Sequence, residues 1–353
     1  MAYTTIDNPE LFFQIVLWTG NGSSSRSITL DGSEDMQPDW TWIKSRAGSE
    51  SSQQHYLYDS VRGATKYLQS STNNAEGTKS NGLSAFASDG FTVGDDNANN
   101  ASSTTYIAWN WKASGSTSSD SNGSITSTIS ANTTAGFSIV TYTGTGSNAT
   151  VGHGLGAVPQ MIIVKNRDGG TDNWAVYHGE LGKDKWLKLN TTDASATDTV
   201  MWNDTTPTSS VFSVGTYTNS NGNTNGMLAY CFSEKQGYSK FGSYEGNGNA
   251  DGTYVHLGFR PAFIMIKKSS GTEDWSMYDA KRNVNGTTNT LPLLANFSDG
   301  ETGLTGKNMD ILSNGVKMLT SNGELNLSGA TYIYMAFAES PFVNSNGVPN
   351  NAR

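Results

Sequence analysis

The chain has 353 residues, enough for several cores, and only 15% of them are charged, against roughly 25% in an ordinary soluble protein. Its net charge of −9 opposes binding to nucleic acid or an anionic membrane, because both require a basic field. No stretch approaches the roughly twenty apolar residues of a membrane span, and a single cysteine, Cys231, excludes an intrachain disulfide.

Residues 1–17 form a lead-in. They carry no basic start of the secretory kind, and Leu11–Leu17 is apolar enough for a strand that docks the chain onto a larger assembly. A signature then recurs three times. Each copy opens on an aromatic residue and a Gly-x-Gly turn, at Trp18–Gly22, Tyr142–Gly146 and Tyr244–Gly248. Next comes a proline with an apolar run closed by lysine, at Pro38–Lys44, Pro159–Lys165 and Pro261–Lys267. An aromatic element follows at Tyr56–Asp59, Trp174–His178 and Trp275–Asp279, and an aromatic strand ends each copy at Tyr106–Trp111, Met227–Phe232 and Ile333–Phe337. Self-similarity on this scale fixes the architecture before other arguments. It predicts units over 18–112, 136–235 and 236–342, with a tail over 343–353.

Between the first two units, 113–135 is rich in Ser, Thr, Gly and Asn and reads as a flexible linker. The alternation Ile125-x-Ser127-x-Ile129 would allow a short edge strand within it. The second and third units adjoin directly, so they are expected to pack closely and the first to be more independent. Helical periodicity is absent, and Gly or Asn interrupts nearly every stretch. Turn signals are dense at Asp31-Gly32, Asp89-Gly90, Asn122-Gly123, Asn285-Gly286, Asn314-Gly315 and Asn322-Gly323. Such pairs favour tight hairpins. The expected fold is therefore all-β: three tandem antiparallel β-sandwich or jelly-roll-like repeat domains. Met161–Val164 and Phe263–Ile266 read as strands buried on both faces.

Chemistry is sparse by comparison. Burying one Trp is worth a gross ~4–6 kcal/mol at ~25 cal/mol per Å², so Trp40, Trp42, Trp109 and Trp111, at matched strand positions, are assigned to the core. Trp186, Trp202, Tyr67 and Tyr217 lie outside the shared pattern and are the better candidates for an exposed binding role, with packing the commoner use of such residues. Cys231, within Ala229–Phe232, reads as a small buried hydrophobe. The acidic loops 31–35, 95–99 and 298–301 could offer oxygens to calcium. In the clearest, Asp95-x-Asn97-x-Asn99, Asn100 stands where a calcium loop needs Gly and Tyr106 where it needs Glu, so solvated turns are expected. His55, His153, His178 and His256 have no metal-ligand spacing, and His178 replaces Asp59 and Asp279 at what reads as a polar turn contact. Gly152–Gly156 lacks the Lys-Ser/Thr and helix of a phosphate cradle. No catalytic, cofactor-binding or metal residue is assigned, and the chain reads as no enzyme and as needing no cofactor.

Several stretches, Tyr56–Lys66, Gly136–Gly144, Gly237–Tyr244 and Ala330–Glu339, resemble a repeat-domain family of unknown function found in virion proteins of marine tailed bacteriophages, where members are associated with tails and tail fibres. The resemblance covers nearly the whole chain and implies a non-enzymatic structural protein, foremost a tail fibre or appendage component that also binds host surface glycan. Alternatives are a capsid decoration or head fibre and a tail-associated polysaccharide-degrading enzyme. Implied partners are other virion proteins and further copies of the chain, a trimer among the forms, with no nucleic acid and no membrane insertion. Localisation would be the virion, assembled in the host cytoplasm and released by lysis.

Overall fold

The computed structural model describes residues 3–47, 53–282, 291–301 and 306–349. Nearly all of the regular structure is β, and the described strands form several antiparallel sheets without a barrel. The first nine strands are β1 (Phe13–Thr19), β2 (Arg26–Ile28), β3 (Trp40–Ser45), β4 (Tyr56–Asp59), β5 (Lys66–Gln69), β6 (Gly77–Thr78), β7 (Leu83–Ala87), β8 (Gly90–Val93) and β9 (Thr105–Trp111). They make a large sheet ordered β1-β9-β3-β4-β5-β6 and a small one ordered β2-β8-β7.

The next ten are β10 (Ser118–Asp120), β11 (Ser127–Asn132), β12 (Phe137–Thr143), β13 (Ala149–Gly152), β14 (Met161–Asn166), β15 (Ala175–His178), β16 (Lys185–Lys188), β17 (Ala196–Thr197), β18 (Val211–Val214) and β19 (Gly226–Phe232). Their large sheet runs β10-β11-β12-β19-β14-β15-β16-β17, and β13 pairs with β18. The remaining strands are β20 (Ser239–Glu245), β21 (Tyr254–His256), β22 (Phe259–Lys268), β23 (Trp275–Asp279), β24 (Leu293–Leu294), β25 (Met309–Leu312), β26 (Gly315–Met318) and β27 (Thr331–Pro341). They form β20-β27-β22-β23-β24 and β21-β26-β25. The three large sheets thus share one succession, in which the first and last long strands lie side by side and the apolar lysine-ended strand follows.

Each large sheet buries both faces, and the strand period of two decides which residue goes where. On β14, Ile162 and Val164 meet the small-sheet side while Met161 and Ile163 face inward to a central core. On β22, Ile264 and Ile266 face outward to the small sheet, and Phe263 and Met265 inward. The expectation that these runs are buried on both faces is met. The central core draws on all three large sheets. Trp40 stacks on Trp111 at 4.3 Å between ring centroids and on Tyr230 of the second sheet at 4.2 Å. Phe13 meets Phe337 at 5.3 Å, and Phe232 meets Phe337 at 5.9 Å. Trp40, Trp42, Trp109 and Trp111 are all at most 1% exposed, as their strand positions predicted.

Three expectations are corrected. Residues 113–135 are no spacer: β10 and β11 lie there and extend the second large sheet, with Ser130 opposite Ile139 and Thr128 opposite Thr141. The lead-in 1–17 is not separate from the first unit either: the strand expected at Leu11–Leu17 is the larger part of β1 and pairs with β9 from Phe13↔Trp111 onward. The first unit is not independent, since its Trp residues stand in the core that all three sheets share. The short strand that Ile125-x-Ser127-x-Ile129 allowed is present as β11, but the Ser/Thr-rich composition hid that it joins the second sheet, and a tryptophan strand says nothing of which neighbour it meets. Of the turn signals, Asp89-Gly90 and Asn314-Gly315 do close hairpins, whereas Asp31-Gly32 and Asn322-Gly323 sit in loops. Asn285-Gly286 lies outside the described residues.

The Gly-x-Gly turns have a common cause. A Cβ on Gly20, Gly144 or Gly246 would stand 2.0, 2.2 or 2.3 Å from the carbonyl oxygen of Ala101, Gly222 or Leu327. The second glycines, Gly22, Gly146 and Gly248, have φ of 68°, 65° and 70°, where a side chain is strained. Beside each turn a buried asparagine supplies the bonds. Asn221 accepts from the Thr145 N–H and donates to the Ser147 oxygen, and Asn326 does the same with Asn247 and Asn249. Asn100 repeats the pattern with Asn21 and Ser23. The leading aromatic of each motif donates to the carbonyl just before that asparagine, Trp18 to Asn99, Tyr142 to Ser220 and Tyr244 to Leu325. Gly20→Ala should therefore cost about 1–3 kcal/mol, the usual penalty of overpacking, while Gly63→Ala, with open space around it, should cost only its φ strain. Urea midpoints of the two variants check this.

Candidate functional site

Many of the charged residues of the interior gather where one large sheet meets the next, although Glu324, paired with Lys307, lies inside the third unit. Lys44, Lys165 and Lys267, which close the apolar runs, are completely buried. Each spends its ammonium on backbone carbonyls, one of them across a joint. Lys44 donates to Ser45 and, in the third sheet's loop, Ser298 at 2.9 Å; Lys165 to Asp172 and, in the first, Asn73 at 3.0 Å; Lys267 to Lys268 and, in the second, Thr192 at 3.2 Å. Burial pulls their pKa values down to about 7, 8 and 8 respectively. Such lysines can serve as nucleophiles, but these have no exposed surface and their protons are engaged, so they act as struts.

A second set lies one strand over. Asp59 and Arg62 pair without any exposure of either side chain, and Arg62 also reaches Glu76 at 3.1 Å. Glu76 in turn holds Arg167 of the second sheet at 2.8 Å, and Tyr230 of that sheet donates to Asp59 at 2.8 Å. Burial works against the charge on Arg62, but Asp59, Tyr230 and Glu76 together hold its pKa above the ordinary value. Asp279, Arg282, Glu301 and Arg46 reproduce the network between the third and first sheets, at 2.6, 3.2 and 2.6 Å. Between the second and third sheets every member changes at once. His178, Leu181 and Ser195 occupy the matching places, and His178 Nε2 bonds the Tyr334 carbonyl at 3.1 Å.

The turn contact expected of Asp59, His178 and Asp279 is present: they accept from the backbone N–H of Arg62, Glu180 and Arg282. Because His178 Nδ1 accepts, Nε2 carries the proton and the ring is neutral. Burial lowers its pKa to about 4, against smaller upward effects of the Tyr334 carbonyl and the Glu180 charge. With an unfolded value near 6.5, the unfolded chain binds the extra proton first as pH falls. Stability should then drop between pH 6.5 and 4. His178→Gln, which keeps a donor for Tyr334, should flatten that decline in denaturant midpoints.

The other sequence candidates distribute as follows. Trp186 is 8% and Trp202 2% exposed, so both belong to the second sheet's outer core. Tyr67 is half-buried against Tyr56 and under Lys79, and of these four aromatics Tyr217 alone is exposed, at 39%. Cys231 is buried and its thiol pKa is raised by that burial. His55 accepts from the Trp42 indole, and His153 bonds the Thr208 carbonyl. His256 faces solvent beside Tyr254. In the acidic loops Asp96 binds Lys79, Asp31 binds Lys281 and Glu301 binds two arginines. Among the described residues no group of three His, Cys, Asp or Glu could hold a metal. Asn100, Asn221, Asn326, Arg62 and Arg282 were missed; the recurrent Asp-x-x-Arg at 59–62 and 279–282 was the available signal.

Several clefts open at the joints, and two stand beside residues already described. One of about 480 Å³ lies between the second and third sheets, with Glu180, Glu234, Lys240, Tyr254 and His256 on its walls. The Tyr254 ring is 41% exposed there, held through its hydroxyl near His256 Nδ1 and the Asn314 carbonyl at 3.2 and 3.3 Å. The other, of about 300 Å³, runs along β1 beside Ala262, Ala280 and Ala338.

These features define an all-β protein whose large antiparallel sheets close on one core and whose buried lysines and Asp–Arg–Glu networks serve the joints. The chain belongs to the family described as Domain of unknown function (DUF7483), matched as one span over residues 8–341. No curated protein and no solved structure matches it.

Proposed function

We propose that this is a non-enzymatic structural protein of a tailed bacteriophage virion, a tail fibre or appendage component exposed on the particle that binds host surface glycan. The carrying observation is where the charges stand: the fully buried lysines and the Asp–Arg–Glu networks brace sheet against sheet, as suits a rigid assembly part. The three pairs of large and small sheets are, on this reading, copies of one unit. The resemblance of Tyr56–Lys66 and Ala330–Glu339 to virion proteins supports the particle, and the neutral polar composition suits an exposed location.

The cleft at Tyr254 supports the glycan. A held aromatic ring offers a face to sugar C–H groups, and Glu180 and Glu234 offer acceptors to sugar hydroxyls. Antibody labelling of intact particles, viewed by negative stain, tests the location: label on tails supports the reading, label on heads favours a capsid decoration, and no label removes the virion. Glycan-array binding that weakens about tenfold in Tyr254→Ala, the equivalent of ~1.4 kcal/mol, would support the cleft. Release of reducing sugar from host polysaccharide would replace the structural reading with an enzyme.

A further inference from the structure

We propose that the edge of β1, unpaired among the described residues, is a docking site for an extended strand supplied by a different protein, not by a second copy of this chain. The three strands that open the large sheets, β1, β12 and β20, meet different fates. In β1, Phe12 and Gly20 bond across to Lys112 and Thr104. By antiparallel alternation Gln14, Val16 and Trp18 then face β9, and the N–H and C=O groups of Phe13, Ile15 and Leu17 point away from it. No described residue pairs with them.

On β12 the matching residues Phe137, Ile139 and Thr141 stand opposite Asn132, Ser130 and Thr128 of β11. The chain fills that edge with its own strand. On β20 the edge is blunted locally, for Phe241 N–H donates to Glu234 and Ser239 N–H to the Lys235 carbonyl. The sequences of β1 and β12 are nearly interchangeable, Phe-Gln-Ile-Val-Leu-Trp-Thr against Phe-Ser-Ile-Val-Thr-Tyr-Thr. What fits one backbone edge fits the other.

The cleft beside β1 explains why its edge stays open to outsiders. Where the first and second sheets meet, Asp39 accepts from Ala113 and Gly115 N–H groups and from the Ser60 hydroxyl. That anchor leads the chain toward β10 and β11. Ala262 and Ala280 hold the corresponding places beside β1, joined by the same backbone bond at 2.8 Å that joins Asp39 to Ser60. Two methyl groups replace an acid and a hydroxyl, so the anchor is lost and the floor turns apolar, while Glu10, Asp31, Arg260, Lys281 and Glu339 line the rest of the cleft. An unpaired edge next to such a floor recruits a strand by backbone bonding, with side-chain pockets setting the choice.

The pattern of the guest follows from β11: alanine opposite Gln14, a small hydroxyl residue opposite Ile15 and an aliphatic one opposite Val16, as Ala131, Ser130 and Ile129 stand to Ser138, Ile139 and Val140. This inference is independent of where the protein resides. A labelled peptide with the sequence of residues 124–135, titrated against the full chain by fluorescence anisotropy, tests it. Saturable binding is expected, absent for a scrambled peptide and weakened at least tenfold by Leu17→Pro, which deletes one outward N–H where an edge tolerates proline. Should Leu17→Pro unfold the chain, Ala280→Lys, which crowds the cleft, is expected to weaken binding likewise. No saturable binding, or equal binding by both variants, overturns the proposal. So does a sedimenting dimer that Leu17→Pro dissolves, since it gives the edge to a second copy.

Discussion

Replacing Arg62 with leucine should destabilise the chain by about 3–5 kcal/mol, because Asp59 would remain buried and charged without a cation and Glu76 would keep Arg167 alone. Arg62 and Asp59 have no exposed side-chain surface and Glu76 little, so water cannot replace the lost bonds. The joint between the second and third sheets already shows a chargeless solution. Asp59→His, Arg62→Leu and Glu76→Ser made together copy His178, Leu181 and Ser195, and the triple variant should recover at least half of the loss. Arg167, a quarter exposed, stays solvated without Glu76. Urea unfolding followed by tryptophan fluorescence measures both effects. A triple variant no more stable than Arg62→Leu would mean that the network does more than satisfy itself.

Trp40→Ala should cost a comparable ~3–5 kcal/mol, and the damage should cross sheets. The indole belongs to β3 yet stacks on Tyr230 and Phe137 of the second sheet. Hydrogen exchange should accordingly lose protection in β12 and β19 as well as in β3 and β9. Loss confined to the first sheet would show that the sheets are energetically separate. For the same reason the wild-type chain should unfold in one transition, since no large sheet can leave without exposing the others' inner faces.

Much of this was legible in the residues. The alternation in Trp40-x-Trp42 and Ile107-x-Trp109-x-Trp111 specified strands and an apolar face, and the recurrence of Pro38, Pro159 and Pro261 marked equivalent places. The candidate site was less legible. A lysine ending an apolar run reads as the solvated end of a strand, and only the neighbouring loop's carbonyls reveal Lys44, Lys165 and Lys267 as interior struts. Trp186 and Trp202 looked available because they fell outside the recurring pattern, yet that region packs its own outer core. His178 in place of aspartate looked like tolerance of a polar turn. It is one part of a coordinated change whose other members lie elsewhere in the chain.

By itself the sequence determined the all-β class, the long aromatic and apolar strands and the Gly-x-Gly turns, because side-chain period, glycine at positive φ and local hydrogen bonding act over a few residues. Tertiary structure alone decided that three large sheets share one core, that 113–135 joins the second sheet, and which strand edge stays unpaired. Those outcomes depend on groups distant in the chain, such as Trp40 with Tyr230 or Asp39 with Gly115, and no local pattern encodes which partner a buried face or an open backbone edge will meet.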